Sequence, residues 1–266
     1  MPPRLLVIAG SDPSGGAGIQ ADLKTAQAFG VFAQTAITAV TVQNTLGVTG
    51  VHMVPPEIVR EQILACLSDI GADAIKTGML GSSEMVEMVA ATLTEHAPGI
   101  PLVVDPVMVA KGGSPLLDEA AVAILKKRLL PLASVITPNL PETEALTGLY
   151  PQSEHRLRNA AMVFKMMGVE QVLFKGGHAP PSIEGNGDVV RDVLWSGGEF
   201  VSFEAPRQDT RHTHGTGCTL ATAIACGLAQ KLSLNDAVAR AHAYVQEAIR
   251  TAPGLGQGHG PLNHRI

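Results

Sequence analysis

Uninterrupted apolar runs recur along the chain and alternate with stretches whose apolar residues return at intervals of three and four. The runs are "RLLVIAG" from Arg4, "TAITAVTVQ" from Thr35, "AIKTGML" from Ala74, "PLVVDPVM" from Pro101, "SVITPN" from Ser134 and "QVLFKGG" from Gln171. Short, rich in Val and Ile and lacking polar alternation, they predict strands of a parallel sheet covered on both faces. The stretches between them, such as "PEIVREQILACLSDI", "SSEMVEMVAATLTEH", "DEAAVAILKKRLL" and "EHRLRNAAMVFKMM", predict amphipathic helices. The alternation is that of repeated βαβ units, so the pattern predicts an α/β fold with a mostly parallel central sheet flanked by helices.

The rhythm breaks in the C-terminal third. There "VVRDVLWSGGEFVSFEAP" sets two strand-like runs around Ser196-Gly197-Gly198 and predicts a β-hairpin, after which two helices follow. Ser233, and either Ser82 or Ser83, stand where a hydroxyl would cap a helix. "HAPPSIEGNGD", residues 178–188, and the chain after Ala252 lack periodicity and read as a loop, a candidate lid, and a tail rather than as linkers. Residues 1–266 are therefore expected to form a single domain.

Composition narrows the class. A chain of 266 residues that is 45% hydrophobic buries a large core. The net charge of -5 is spread without a basic stripe and aromatic residues make up 3%, so neither phosphodiester binding nor base stacking is expected and nucleic acid is excluded as a partner. The first apolar run ends at Gly10 in a turn, and no stretch approaches about 18 unbroken apolar residues, which predicts a cytoplasmic protein without membrane contact. Of the three cysteines, Cys218 and Cys226 lie eight apart on a predicted helix, about 12 Å, too far to bridge. Reduced thiols are expected, with Cys66 and Cys226 as small core residues.

In an open parallel sheet ligands bind beyond the C-terminal ends of the strands. Those ends carry "GSDPSGGAGIQAD", "QNT", "GM", "DPVM", "PNLPE" and "KGGH", polar, Gly and Pro residues that packing does not require. The first loop suits a phosphate or a plain turn, yet lacks the Gly-Lys-Ser/Thr ending of a P-loop. A dinucleotide reading is opposed by Gln43, which stands where an acidic ribose ligand is needed. In "HGTGCTLATAIA", Gly215, Thr216 and Gly217 open a helix whose first-turn N–H groups suit an anion. Cys218 would point into the same space, with its pKa lowered by the helix terminus; the plainer alternative is a small buried residue. Asn139 and Glu142, three apart, suit Mg²⁺ held largely through waters beside phosphates, and Asp105 offers a second carboxylate; alternatively Asn139 caps a helix. Lys175 suits a nucleotide phosphate, or else stands in solvent at a strand end. His212 and His214 are spaced as a metal pair, but no Cys or carboxylate completes the site.

Taken together and in order, "AGSDPSGGAGIQADLKT", "AITAVTVQNT", "KTGML", "DPVMVAKGG", "TPNLPE", "KGGH" and "THGTGCTLA" resemble the hydroxymethylpyrimidine/phosphomethylpyrimidine kinases of thiamine biosynthesis, a branch of the ribokinase-like fold. The resemblance runs over nearly the whole chain and implies a three-layer α-β-α architecture. It implies a cytoplasmic kinase, often a homodimer, that uses ATP and Mg²⁺ to phosphorylate a small-molecule pyrimidine to its monophosphate and then its diphosphate. By the same resemblance, Gln43 reads the aminopyrimidine edge, Asp22 and the backbone around Gly10 and Ala17 help hold the ring, and Met79 with Val107 supplies apolar walls. Asn139 and Lys175 serve ATP, Glu142 and Asp105 serve Mg²⁺, and the Gly215–Gly217 amides form the anion hole. Where most ribokinase-like enzymes carry an aspartate base, this chain has Cys218, as the pyrimidine-kinase branch does. It departs from the branch at His212, where Asn is usual. The nearest alternative is a pyridoxine or pyridoxal kinase of the same fold; a dinucleotide-dependent oxidoreductase and a non-catalytic pyrimidine-binding protein are opposed by "GTGC" and "NLPE".

Overall fold

The computed structural model describes residues 1–108, 117–176 and 188–266. Among the described residues nine strands form one continuous sheet: β1 (Arg4–Ser11), β2 (Phe32–Asn44), β3 (Gly47–Met53), β4 (Ala74–Thr77), β5 (Leu102–Val104), β6 (Val135–Ile136), β7 (Gln171–Phe174), β8 (Val189–Ser196) and β9 (Glu199–Pro206). Their order is β3-β2-β1-β4-β5-β6-β7-β8-β9. The strands from β2 to β7 pair in parallel, whereas β3 and the β8–β9 hairpin close the two edges by antiparallel pairing.

Helices cover both faces. They are α1 (Gly18–Ala28), α2 (Pro56–Asp69), α3 (Ser83–His96), α4 (Glu119–Ile124), α5 (Leu140–Thr147), α6 (Glu154–Met166), α7 (Thr216–Ala229) and α8 (Leu234–Arg250). Along β1, Leu6 and Ile8 pack with Val59 and Ile63 of α2, Val86 of α3 and Phe164 of α6. Leu5, Val7 and Ala9, pointing the other way, pack with Ile19 of α1, Ile224 of α7 and Val238 of α8. Two separate apolar layers thus sandwich the sheet, which is why the strands read as unbroken runs: neither face meets water. No helix among the described residues is long and apolar enough to cross a membrane.

All six apolar runs form strands, and both serine caps are present, with Ser82 accepting from the Met85 N–H and Ser233 from the Asp236 N–H, each at 3.2 Å. The expected hairpin turns at Gly197-Gly198, whose φ values of 60° and 88° are those of the tight turn that joins twisted antiparallel strands. Two expectations change. The stretch "DEAAVAILKKRLL" is not one helix: α4 ends at Ile124, a wider turn follows over Leu125–Leu129, and Pro131, with no N–H to donate, stops the ladder. "GVTGVHM" forms an edge strand without an apolar run to mark it. Residues 178–187 of the candidate lid lie outside the described residues.

Candidate active site

A cavity of about 680 Å³ opens at the C-terminal ends of the parallel strands. Every site residue expected from the sequence lines it except Asp22. The topology explains the gathering: parallel strands deliver the residues after β1, β4, β5, β6 and β7 to one edge of the sheet, and the start of α7 points into the same space.

One part of the cavity gathers the residues expected to meet phosphate. Gly215 caps α7 with φ 85°, a left-handed conformation that side chains disfavour, and a Cβ there would run into the carbonyl oxygen of Gly16. Behind it the N–H groups of Gly217 and Cys218 belong to the first helical turn, where no intrahelical carbonyl is within reach. A Cβ on Gly217 would stand 3.3 Å from Lys175 Nζ and 3.6 Å from Asp105 Oδ2, so the helix start, the cation and the carboxylate share one small space. Lys175 Nζ is 2.9 Å from Asp105 Oδ1 and 3.6 Å from Glu142 Oε2, and Thr137 donates its hydroxyl to Asp105 Oδ1 at 3.1 Å.

The start of α5 holds Glu142 in place. Asn139 Oδ1 accepts from the Glu142 N–H at 2.8 Å, and Glu142 Oε2 accepts from the Asn139 N–H at 2.7 Å, a reciprocal capping box. The cap expected as an alternative use of Asn139 is therefore real, and Asn139 also lines the cavity. Burial pushes the Glu142 carboxyl up to about 7; Lys175 opposes the rise and Asp105 adds to it. Burial would lower the Lys175 ammonium, but Asp105 and Glu142 outweigh it and hold the group charged.

Cys218 departs from expectation. Burial pushes its thiol up to about 11, opposed chiefly by the charge of Lys76, while Asp22 and Asp105 add to the rise. A helix N-terminus lowers a thiol pKa only where water is not stripped from the thiolate, and here desolvation wins.

Asp22 is also relocated. It is fully buried in α1, with oxygens 3.0 and 3.1 Å from the buried Lys76 Nζ, and it accepts the Thr222 hydroxyl at 2.6 Å. Lys76 lines the cavity and Asp22 stands behind it, so Asp22 does not hold the ring. Burial pushes the Asp22 carboxyl up and Lys76 opposes it; with Thr222 on one oxygen and Nζ close to both, the ion pair is the state the geometry supports.

Met79, Val107 and Gln43 line the same cavity. The Ala17 N–H is committed to Asp12 Oδ2 at 2.8 Å, so Ala17 offers a ligand only apolar surface and its carbonyl side. His212 and His214 diverge. His212 packs against Gly260 outside the cavity, whereas His214 Nε2 lies 2.8 Å from Asp12 Oδ2 inside it. With one ring outside the cavity and the other on Asp12, the two histidines do not face a common point. Asp12, His214 and Lys76 are cavity residues that no sequence motif marked for these contacts. Lys76 meets Asp22 from 54 positions away, and His214 meets Asp12 from 202.

Known proteins place this arrangement. The thiamine biosynthesis bifunctional protein ThiED of Geobacter sulfurreducens is 51% identical over 98% of this chain, which spans 52% of that relative's length. The hydroxymethylpyrimidine/phosphomethylpyrimidine kinase of Haemophilus influenzae is 47% identical, covering 98% of this chain and 96% of its own. A pyridoxal kinase from Staphylococcus aureus, solved in complex with ADP and also with AMP-PCP and pyridoxal, superposes in its ADP complex with a TM-score of 0.89 at 35% identity, over 100% of this chain and 94% of that one. The family model of phosphomethylpyrimidine kinase matches residues 12–263. With the fold, the cavity and these matches in agreement, the chain belongs to the phosphomethylpyrimidine kinase family.

Proposed function

We propose that the chain transfers the γ-phosphoryl group of ATP to the hydroxymethyl group of 4-amino-5-hydroxymethyl-2-methylpyrimidine, and then to the resulting monophosphate, in thiamine biosynthesis. The observation that carries this reading is one cavity lined both by Gln43, Met79 and Val107 and by Lys175 and the start of α7. Phosphoryl transfer asks a protein mainly for positioning and for fixed charge around the group in flight. The Gly217 and Cys218 amides, the helix dipole and Lys175 supply that charge.

Asp105 and Glu142 fit a magnesium ion held beside nucleotide phosphates. Both offer hard oxygen donors, and Lys175 Nζ, 2.9 Å from Asp105 and 3.6 Å from Glu142, is the cation shared between the two carboxylates. When bound there, Mg²⁺ neutralises charge on the phosphate oxygens. Asn139 assists at the nucleotide through its amide nitrogen, its oxygen being spent on the helix cap.

In the first transfer the hydroxyl oxygen attacks the γ-phosphorus, the bond from that phosphorus to the β–γ bridging oxygen breaks to release ADP, and the hydroxyl proton passes to the Cys218 thiolate. Lys76 favours that thiolate from within the floor of the cavity. In the second transfer the attacking phosphate already carries charge and needs no such base. We read the enzyme as cytoplasmic and homodimeric; the exposed apolar side chains Val40, Val42 and Leu46, on and beside the edge hairpin β2–β3, support self-association.

The similarity to a pyridoxal kinase favours a second reading, in which pyridoxal is an alternative acceptor in the same cavity. The experiment is a coupled ADP-release assay with Mg-ATP and, in turn, the hydroxymethylpyrimidine, its monophosphate and pyridoxal. Turnover of both pyrimidines with kcat/KM above that for pyridoxal is expected; turnover of pyridoxal alone would replace the first reading by the second.

A further inference from the structure

Asp12 and His214 meet in the cavity from opposite regions of the chain, and the roles above use neither. Both are buried, at 2% and 4% exposure. Asp12 is saturated with donors: the Ser14 N–H and hydroxyl, each at 2.9 Å, the Ala17 N–H at 2.8 Å and His214 Nε2 at 2.8 Å. An ionised carboxylate only accepts, so a contact of that length requires a hydrogen on His214 Nε2. The tautomer of the ring follows from its neighbour.

The same nitrogen faces the Gln43 side chain, whose Nε2 is 3.4 Å away. With hydrogens on both nitrogens, donor confronts donor. On the other side of the amide, Gln43 Oε1 is 3.2 Å from Thr41 Oγ1. Thr41 has one hydroxyl proton, and the Ser11 carbonyl at 2.8 Å is its nearer acceptor, so toward Gln43 it presents lone pairs. Acceptor confronts acceptor there. A half-turn about the last side-chain bond of Gln43 sets the carbonyl oxygen beside the His214 N–H, whose nearer acceptor is Asp12, and the amide nitrogen toward the Thr41 oxygen, which removes both mismatches. The remaining lone pair and the remaining N–H are then left in a fixed order for a ligand.

We propose that Asp12 and His214 are positioning residues that fix the amide orientation of Gln43 and thereby select a ring presenting an amino donor beside a ring-nitrogen acceptor, an aminopyrimidine, over a hydroxypyridine. The inference rests on the reading that Gln43 meets the pyrimidine. It gives the chain a device for specificity that lies outside the phosphate machinery: the carboxylate sets the tautomer, the tautomer sets the amide, and the amide reads the ring. A hydroxypyridine ring lacks the adjacent amino donor and gains less from the fixed order.

The test is a double-mutant cycle of His214→Phe with Gln43→Ala, read as KM for the hydroxymethylpyrimidine, for pyridoxal and for ATP. His214→Phe is expected to raise KM for the pyrimidine about tenfold, to change KM for ATP and for pyridoxal less than about threefold, and to add less than about twofold in the Gln43→Ala background. His214→Gln, which restores an N–H toward Asp12, is expected to recover most of the lost affinity. Asp12→Asn, nearly equal in size, runs through the same cycle and keeps the test decisive if the Phe variant does not fold. An equal factor in both backgrounds, or an equal rise in KM for ATP, overturns the inference while leaving the function intact. Absence of pyrimidine turnover by the unmodified protein overturns both.

Discussion

Cys218 sits where two demands conflict. The start of α7 favours negative charge, yet burial pushes the thiol up to about 11, so at neutral pH the side chain is mostly protonated, and in the proposed role of base it would be strong but sparsely populated. Because the active form is deprotonated, the rate of the first phosphorylation is expected to climb as pH rises from 7 toward the thiol pKa. The second phosphorylation, whose nucleophile is already ionised, is expected to lack that slope. Cys218→Ala is predicted to slow the first step by about 100-fold or more and the second by less than about tenfold. Steady-state rates on the alcohol and on the monophosphate across a pH series check both statements, and equal losses would remove Cys218 as the base. Lys76 belongs beside this residue: its charge is what chiefly opposes the rise of the thiol, and it is held by Asp22 and kept ionised by the carboxylates around it, Asp22 and Asp105.

The element that most constrains the site is α7. Ten of its residues from Thr219 to Ala229 are buried, because the helix lies between the sheet below and α1 and α8 beside it, and so its first turn is aimed by packing rather than by loops. Gly215→Ala places a Cβ against the Gly16 carbonyl at a φ of 85°, and we expect it to cost about 1–3 kcal/mol of stability together with most of the activity; urea unfolding read by circular dichroism checks the first. The sequence makes elements of this kind legible. A buried strand needs a continuous apolar run, as in "RLLVIAG", and a capped helix needs its serine, as at Ser82 and Ser233. β3 was hidden because an edge strand paired on one side, with Gly47 and Gly50 and exposed alternate positions, needs no such run. α5 was hidden because it is eight residues long and starts with a proline in its first turn, leaving only its cap as a marker. At the site, the glycines and charges after each strand were legible through topology, whereas the partner of Asp22 was not. Its position five residues into α1 resembles a loop contact until the fold turns that face toward Lys76 and Thr222.

At the scale of the molecule, the chain after α8 returns across the site. His214 N–H donates to the Gly260 carbonyl at 3.1 Å, His259 N–H donates to the Thr45 carbonyl at 2.8 Å, and His264 Nε2 lies 3.0 Å from Thr219 Oγ1. Burial, with a smaller contribution from Lys24, pushes the His264 imidazole down from 6.5 to about 4. The neutral ring is therefore favoured in the folded state, and the unfolded chain binds more protons between those two values. Stability contributed by this residue is complete above pH 6.5 and declines as pH falls toward 4, by up to roughly 3 kcal/mol. A urea midpoint measured at pH 7 and at pH 5 is expected to fall, and His264→Asn is expected to flatten the difference; an unchanged slope in the variant would assign the acid sensitivity elsewhere. The sheet itself has one more consequence. Gln43 ends β2 and Lys175 follows β7, and in the order β2-β1-β4-β5-β6-β7 these strands stand five steps apart, roughly 24 Å at the usual strand spacing. The backbone thus holds the strand that carries Gln43 and the strand that leads to Lys175 at a fixed spacing, wider than a single pyrimidine ring.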